Sequence, residues 1–151
     1  MEPISIQART FPSNTCFGCG PANPDGLRLA SFVMGSEVGA LWTPKAHHSN
    51  GFGFLCGGII ATLLDCHTGA VVAHEIAERH GPAIQDHPYV TSGLSLSFLR
   101  PTPIDRELRL LGRVLSFEPE GARFEAALFA GDKKTAVATA DWKPFRRRPA
   151  T

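Results

Sequence analysis

Residues 57–79 read as one long helix that is apolar on nearly every side, and this segment dictates the architecture around it. It runs Gly57-Gly58-Ile59-Ile60-Ala61-Thr62-Leu63-Leu64-Asp65-Cys66-His67-Thr68-Gly69-Ala70-Val71-Val72-Ala73, and stops before His80-Gly81-Pro82. Ile59, Ile60, Leu63, Leu64, Ala70 and Val71 recur at helical spacing, and little that is polar balances them on the opposite face. A glycine followed by a proline is a usual helix stop. At about 1.5 Å per residue the helix spans roughly 35 Å. A helix of this kind has to be buried, and one helix buried on most sides needs a sheet curled around it. A single sheet leaves part of it uncovered, so the chain is expected to dimerise. One residue contradicts the setting. A carboxylate is almost never fully buried without a partner, because desolvation costs several kcal/mol. Asp65 is therefore either compensated structurally or retained for chemistry.

The rest of the chain supplies the sheet. Residues 27–34 and 38–43 read as two short strands joined at Gly35-Ser36, and a glycine-rich loop over 47–54 leads into the helix. Residues 90–98, 108–117, 123–129 and 135–142 read as four more strands. In the first of these, Leu94, Leu96 and Phe98 share one face while Gly93, Ser95 and Ser97 share the other. Glu118-Pro119-Glu120-Gly121 and Ala130-Gly131-Asp132-Lys133 are good hairpin turns. The residues before Gly26, rich in Pro, Asn, Gly and Cys, read as an irregular arm.

Composition excludes several classes of function. A chain of 151 residues with 43% hydrophobic and 19% charged residues is ordinary for one globular domain. The longest apolar run, near residues 52–64, is broken by glycines and falls short of the roughly 20 residues a bilayer span needs. A formal charge of +1 exerts no overall pull toward nucleic acid or anionic membrane. The N-terminus, Met1-Glu2-Pro3-Ile4, does not read as a signal peptide. Four cysteines without such a signal point to free thiols in the cytoplasm.

Four stretches together resemble the hotdog-fold, PaaI-like acyl-CoA thioesterases. They are Cys16-Phe17-Gly18-Cys19-Gly20 with Asn23-Pro24 and Gly26-Leu27; the loop Asn50-Gly51-Phe52-Gly53-Phe54-Leu55-Cys56-Gly57-Gly58; Leu63-Leu64-Asp65; and Thr91 followed by Phe98-Leu99-Arg100-Pro101-Thr102-Pro103. The spacing from the glycine pair to the aspartate, combined with the following strand, is the specific part. The resemblance implies an α+β hotdog fold, a long central helix wrapped by a curved antiparallel sheet of about six strands. Residues 1–151 would form a single domain, with an irregular arm at 1–25 and a basic tail at 143–151. The chain departs from the family loop at Cys56, where most members carry histidine.

The resemblance also implies chemistry that elementary physics supports. The first amides of a helix lack intrahelical acceptors and lie at the positive end of its dipole. Without a Cβ, Gly57 and Gly58 let a thioester carbonyl approach them. In the family the Gly57 N–H polarises that carbonyl, and Asp65 is general base on water or nucleophile toward the acyl group. Asp65 lies two turns further on, so the acid of one subunit would face the glycines of another, in a homodimer or a dimer of dimers. Asn50 matches the polar residue of the loop, although Asn50-Gly51 is also an ordinary turn. Thr68 could hydrogen-bond the carboxylate or a backbone carbonyl of the preceding turn. Thr91 and Ser92 resemble positions lining an acyl pocket. Arg100 resembles a contact to coenzyme A phosphates, and Cys56 and Gly58 sit where the family places its thioester. Phe52, Phe54 and Leu55 are either an apolar acyl pocket or core. His67 is more simply a packed histidine than a catalytic one.

Competing classes are weaker. A zinc site needs four ligands, and Cys16-x-x-Cys19 has no second such pair. Cys56, Cys66, His47 or His48 could complete one only through the fold, so no metal and no cofactor are expected. No Gly-x-Ser-x-Gly signature of a serine hydrolase is present. The alternative reading is a non-catalytic acyl-CoA binding protein, which Cys56 favours and Asp65 opposes.

Overall fold

A computed structural model describes residues 1–81 and 88–146. The elements follow the order α1 (Ile6–Thr10), β1 (Ser31–Met34), β2 (Glu37–Trp42), a 3-10 turn (Ala46–His48), α2 (Gly57–His80), β3 (Tyr89–Phe98), β4 (Leu108–Glu118), β5 (Gly121–Ala130) and β6 (Lys133–Pro144). All six strands form one antiparallel sheet in the order β1-β2-β4-β5-β6-β3, with α2 across one face. This is the central helix and six-stranded sheet expected of a hotdog fold.

The sheet admits α2 because its facing side chains are small. Ala126, Ala136, Ala138 and Ala140 are at most 1% exposed. At Gly112 in β4, an added Cβ would stand 2.8 Å from Val71 Cγ2, so helix and strand touch there. The first half of α2 packs Ile60, Leu63 and Leu64 against Leu108, Leu110 and Leu128; the second half packs Val71, Val72 and Ile76 with Ile6, Val38 and Phe124. Truncating a fully enclosed residue such as Leu63 to alanine costs about 2–5 kcal/mol. By length and mean hydropathy, 1.2, α2 would pass as a membrane span, yet 61% of that window is buried inside the protein, as befits a core helix.

Three expectations are corrected. The arm is not wholly irregular, since Ser5 caps α1 by accepting from the Ala8 amide at 3.1 Å, and Ile6 is 2% exposed. The first strand begins at Ser31 rather than residue 27. Arg28 has φ 54°, which breaks the extended chain, and the Leu27 and Leu29 amides donate to the carbonyls of Phe17 and Gly18. The basic tail is partly strand, because β6 continues through Pro144. Pro82 of the helix stop and Arg147 and Arg148 of the tail lie outside the described residues.

His67 is a packed histidine with no exposed surface. Its Nε2–H donates to the Val38 carbonyl at 2.9 Å. Gln7 Nε2 donates to Ser31 Oγ at 3.0 Å, which turns the Ser31 hydroxyl toward His67 Nδ1 at 2.9 Å. Every partner is satisfied with the imidazole neutral, and burial holds its pKa down at about 4.

The strand β3 forms one edge of the sheet and carries a bulge. Its pairing with β6 shifts between Thr91, opposite Trp142, and Gly93, opposite Asp141. Its residues Val90, Leu94 and Phe98 stay 44%, 39% and 58% exposed. An unpaired apolar edge of this length invites another strand.

Candidate active site

The start of α2 and the end of β3 frame the first half of the site. Cys56 is the helix N-cap but contributes no side-chain cap; its carbonyl accepts from the Ile59 and Ile60 amides, both at 3.1 Å. That leaves the amides of Gly57 and Gly58 without an intrahelical acceptor. Asn50, Phe54, Gly57, Ile60, Phe98 and Arg100 line a cavity of about 550 Å³ beside them. The ring of Phe98 closes on Gly57, where an added Cβ would meet its Cζ at 3.3 Å. Asn50 Oδ1 is engaged by its own loop, accepting from the Phe52 and Phe54 amides at 2.8 and 3.2 Å. Arg100 is exposed at the strand end.

The second half lies elsewhere. Asp65 is half-buried rather than enclosed. The Thr91 hydroxyl donates to its Oδ1 at 2.7 Å. Asp65 lines a separate cavity of about 390 Å³ with Cys16, Cys19, Cys66, Val90 and Trp142. Eight residues of helix separate it from Gly57, about 12 Å of axial rise. One chain therefore does not bring the acid and the glycine amide to one carbonyl.

Other expected residues are arranged differently. Thr68 has no exposed surface; its hydroxyl donates to the Asp65 backbone carbonyl at 2.7 Å and accepts from Trp142 Nε1 at 3.0 Å. It braces the helix against β6 and does not touch the carboxylate. Ser92 is exposed within the bulge, with Oγ donating to the Asp141 carbonyl at 3.1 Å. Leu55 belongs to the core at 3% exposure, whereas Phe52 stands 86% exposed, so of these three only Phe54 combines exposure with a cavity wall. Neither Cys56, His47 nor His48 joins the Cys16-x-x-Cys19 pair; Cys66 does.

The model of the family described as thioesterase superfamily matches residues 52–137, a span that includes Gly57, Asp65, Thr91 and Arg100. The chain belongs to the thioesterase superfamily. A superfamily protein from Shewanella loihica shares 32% identity, over 78% of this chain and 91% of that one, with a TM-score of 0.61. Two more distant structures share the fold of this superfamily member. The Escherichia coli PaaI protein, from the phenylacetic acid degradation operon, is 16% identical over 80% of this chain and 81% of its own, with a TM-score of 0.64. A Streptococcus mutans protein solved with acetyl-CoA is 18% identical over 80% and 91%, with a TM-score of 0.62. No curated protein matches the sequence significantly.

Proposed function

We propose that the protein hydrolyses an acyl-CoA thioester to the free acid and coenzyme A. The observation that carries this reading is the pair of half-sites, an unpaired helix-start amide at Gly57 and a half-buried carboxylate at Asp65 held by Thr91. The Gly57 amide, at the positive end of the helix, polarises the carbonyl and stabilises the oxyanion that forms from it. Asp65 delivers water as general base, or attacks the carbonyl carbon to form an anhydride that water then cleaves. In both routes the thioester carbon–sulfur bond breaks and the sulfur leaves as coenzyme A thiolate. Asn50 orients the thioester or the water, and Arg100 meets coenzyme A phosphate. Acetyl-CoA in the Streptococcus mutans relative supports a coenzyme A ligand.

A second copy of the chain completes the site. The exposed apolar edge of β3 and the separation of the half-sites support a homodimer in which Asp65 of one subunit serves Gly57 of the other. A panel of acyl-CoA substrates followed by thiol release tests the reaction, and no turnover above background with any of them ends this reading. Cys56 at the helix start supports a non-catalytic acyl-CoA binder as second reading. Thermal stabilisation by acyl-CoA without turnover would favour it.

A further inference from the structure

The sequence contains one Cys-x-x-Cys pair, and the fold brings a third thiol to it. Cys16 and Cys19 lie in the lead-in loop, Cys66 lies on α2, and the three sulfurs are all within 4.8 Å of one another. Cys16 and Cys66 are separated by 50 residues, yet their sulfurs stand 3.8 Å apart. A disulfide would hold them near 2.05 Å. A tetrahedral zinc ion with zinc–sulfur bonds of about 2.3 Å spaces two thiolates by about 3.8 Å.

The loop is shaped to present these sulfurs. Gly20 N–H donates to the Cys16 carbonyl at 2.9 Å, folding the pair into one tight turn, and Asn14 Oδ1 accepts from the Cys16 amide at 2.7 Å. A Cβ on Gly20 would lie 2.4 Å from the Cys16 nitrogen and 2.6 Å from the Asn14 carbonyl oxygen. Gly18 rests against the helix so closely that a Cβ there would lie 2.3 Å from Cys66 Sγ. Glycines at 18 and 20 are what allow the turn to settle on Cys66.

We propose that Cys16, Cys19 and Cys66 bind one divalent metal ion of the zinc class through three sulfurs. Among the described residues no fourth His, Cys, Asp or Glu joins them, so the fourth position is left to water. It opens on the cavity that Asp65 also lines. Protons still on the thiols leave to solvent as the ion binds. The ion would clamp the lead-in loop onto the helix turn that carries Asp65. Two of its ligands lie outside the span matched by the superfamily model, and the proposal does not depend on thioester hydrolysis.

Elemental analysis and anaerobic cobalt(II) titration of the reduced full chain test the site. The expected result is one metal per chain, with the sulfur-to-cobalt charge-transfer band and intense visible bands of tetrahedral thiolate coordination. Cys16→Ser, Cys19→Ser and Cys66→Ser should each lose those bands, while Cys56→Ser keeps them. Adding a strong chelator to the metal-loaded wild type should lower its melting temperature, a readout that needs no variant to fold. A folded, reduced wild type that gives no thiolate–cobalt bands overturns the proposal. So do bands that persist in all three cluster variants, or a native intact mass showing a disulfide among these cysteines.

Discussion

Thr91 and Asp65, 26 residues apart, meet through a 2.7 Å hydrogen bond from the threonine hydroxyl to Oδ1 of the carboxylate. The contact fixes one oxygen of the acid and leaves the other for water or substrate. It also ties the exposed edge strand to the central helix.

Replacing Thr91 with valine keeps the branched shape and removes the donor. A hydrogen bond to a charged group is worth about 1.5–3 kcal/mol, so turnover should fall roughly tenfold to a hundredfold. Melting behaviour should stay close to the parent, because Thr91 lies on an edge strand. Unchanged kcat in a thiol-release assay would show that the bond is merely structural.

Asp65→Asn preserves size while abolishing the base. The expected loss of turnover is about 10²–10⁴, with the fold retained. Because Asp65 is only half-buried and one of its oxygens already accepts from Thr91, no large gain in stability should accompany it. If activity drops only as far as the protein unfolds, Asp65 is structural.

Gly57→Ala probes the other half-site. The added methyl meets only the outer edge of the ring of Phe98, an exposed side chain on an edge strand, so folding should survive. The amide remains but is crowded, and kcat should fall about tenfold, less than the roughly 10²–10³ seen when such a donor is lost outright. A rise in KM at constant kcat would instead assign the glycine to substrate fit.

The separation of the half-sites predicts an obligate assembly. Leu94→Glu places a charge on the exposed apolar face of β3, where Leu94 is 39% exposed and outside the core. Sedimentation should show monomers, and specific activity should disappear with the dimer. Fully active monomers would contradict a shared site.

Acid should unfold the protein partly through His67. Its pKa, near 6.5 in the unfolded chain, is held at about 4 in the fold. The unfolded chain therefore binds more protons between these values, and stability decreases as pH falls. The contribution is complete above about 6.5, declines on acidification and is gone below about 4; it amounts to roughly 3 kcal/mol. Urea unfolding across this range, beside a His67→Gln variant with a flatter profile, measures it.

Much of this architecture is legible in the sequence, for physical reasons that vary by element. The apolar periodicity of 57–79 and the two-residue turns at 119–120 and 131–132 locate α2 and the hairpins almost to the residue. The short α1 is hidden because five residues carry too little periodicity to be recognised, although Ser5 is a good cap. At the site, Gly57, Asp65 and Arg100 are visible as residue types at informative spacing. The partner of Asp65 is not, because local spacing favours Thr68, whose hydroxyl takes the backbone carbonyl instead. The convergence of Cys66 on Cys16 and Cys19 is equally invisible, since only tertiary folding joins positions 50 residues apart.

The irregular pairing of β3 with β6 means that this strand is written in two phases. By simple alternation Thr91 would travel with Gly93, Ser95 and Ser97 and point away from the helix. The extra residue, Ser92, displaces that phase, so Thr91 and Leu94 face the same side despite their odd separation. Deleting Ser92 would leave every remaining side chain chemically intact, yet it would turn position 91 out of register with the acid. The length of this strand, as much as its composition, sets what Asp65 can touch.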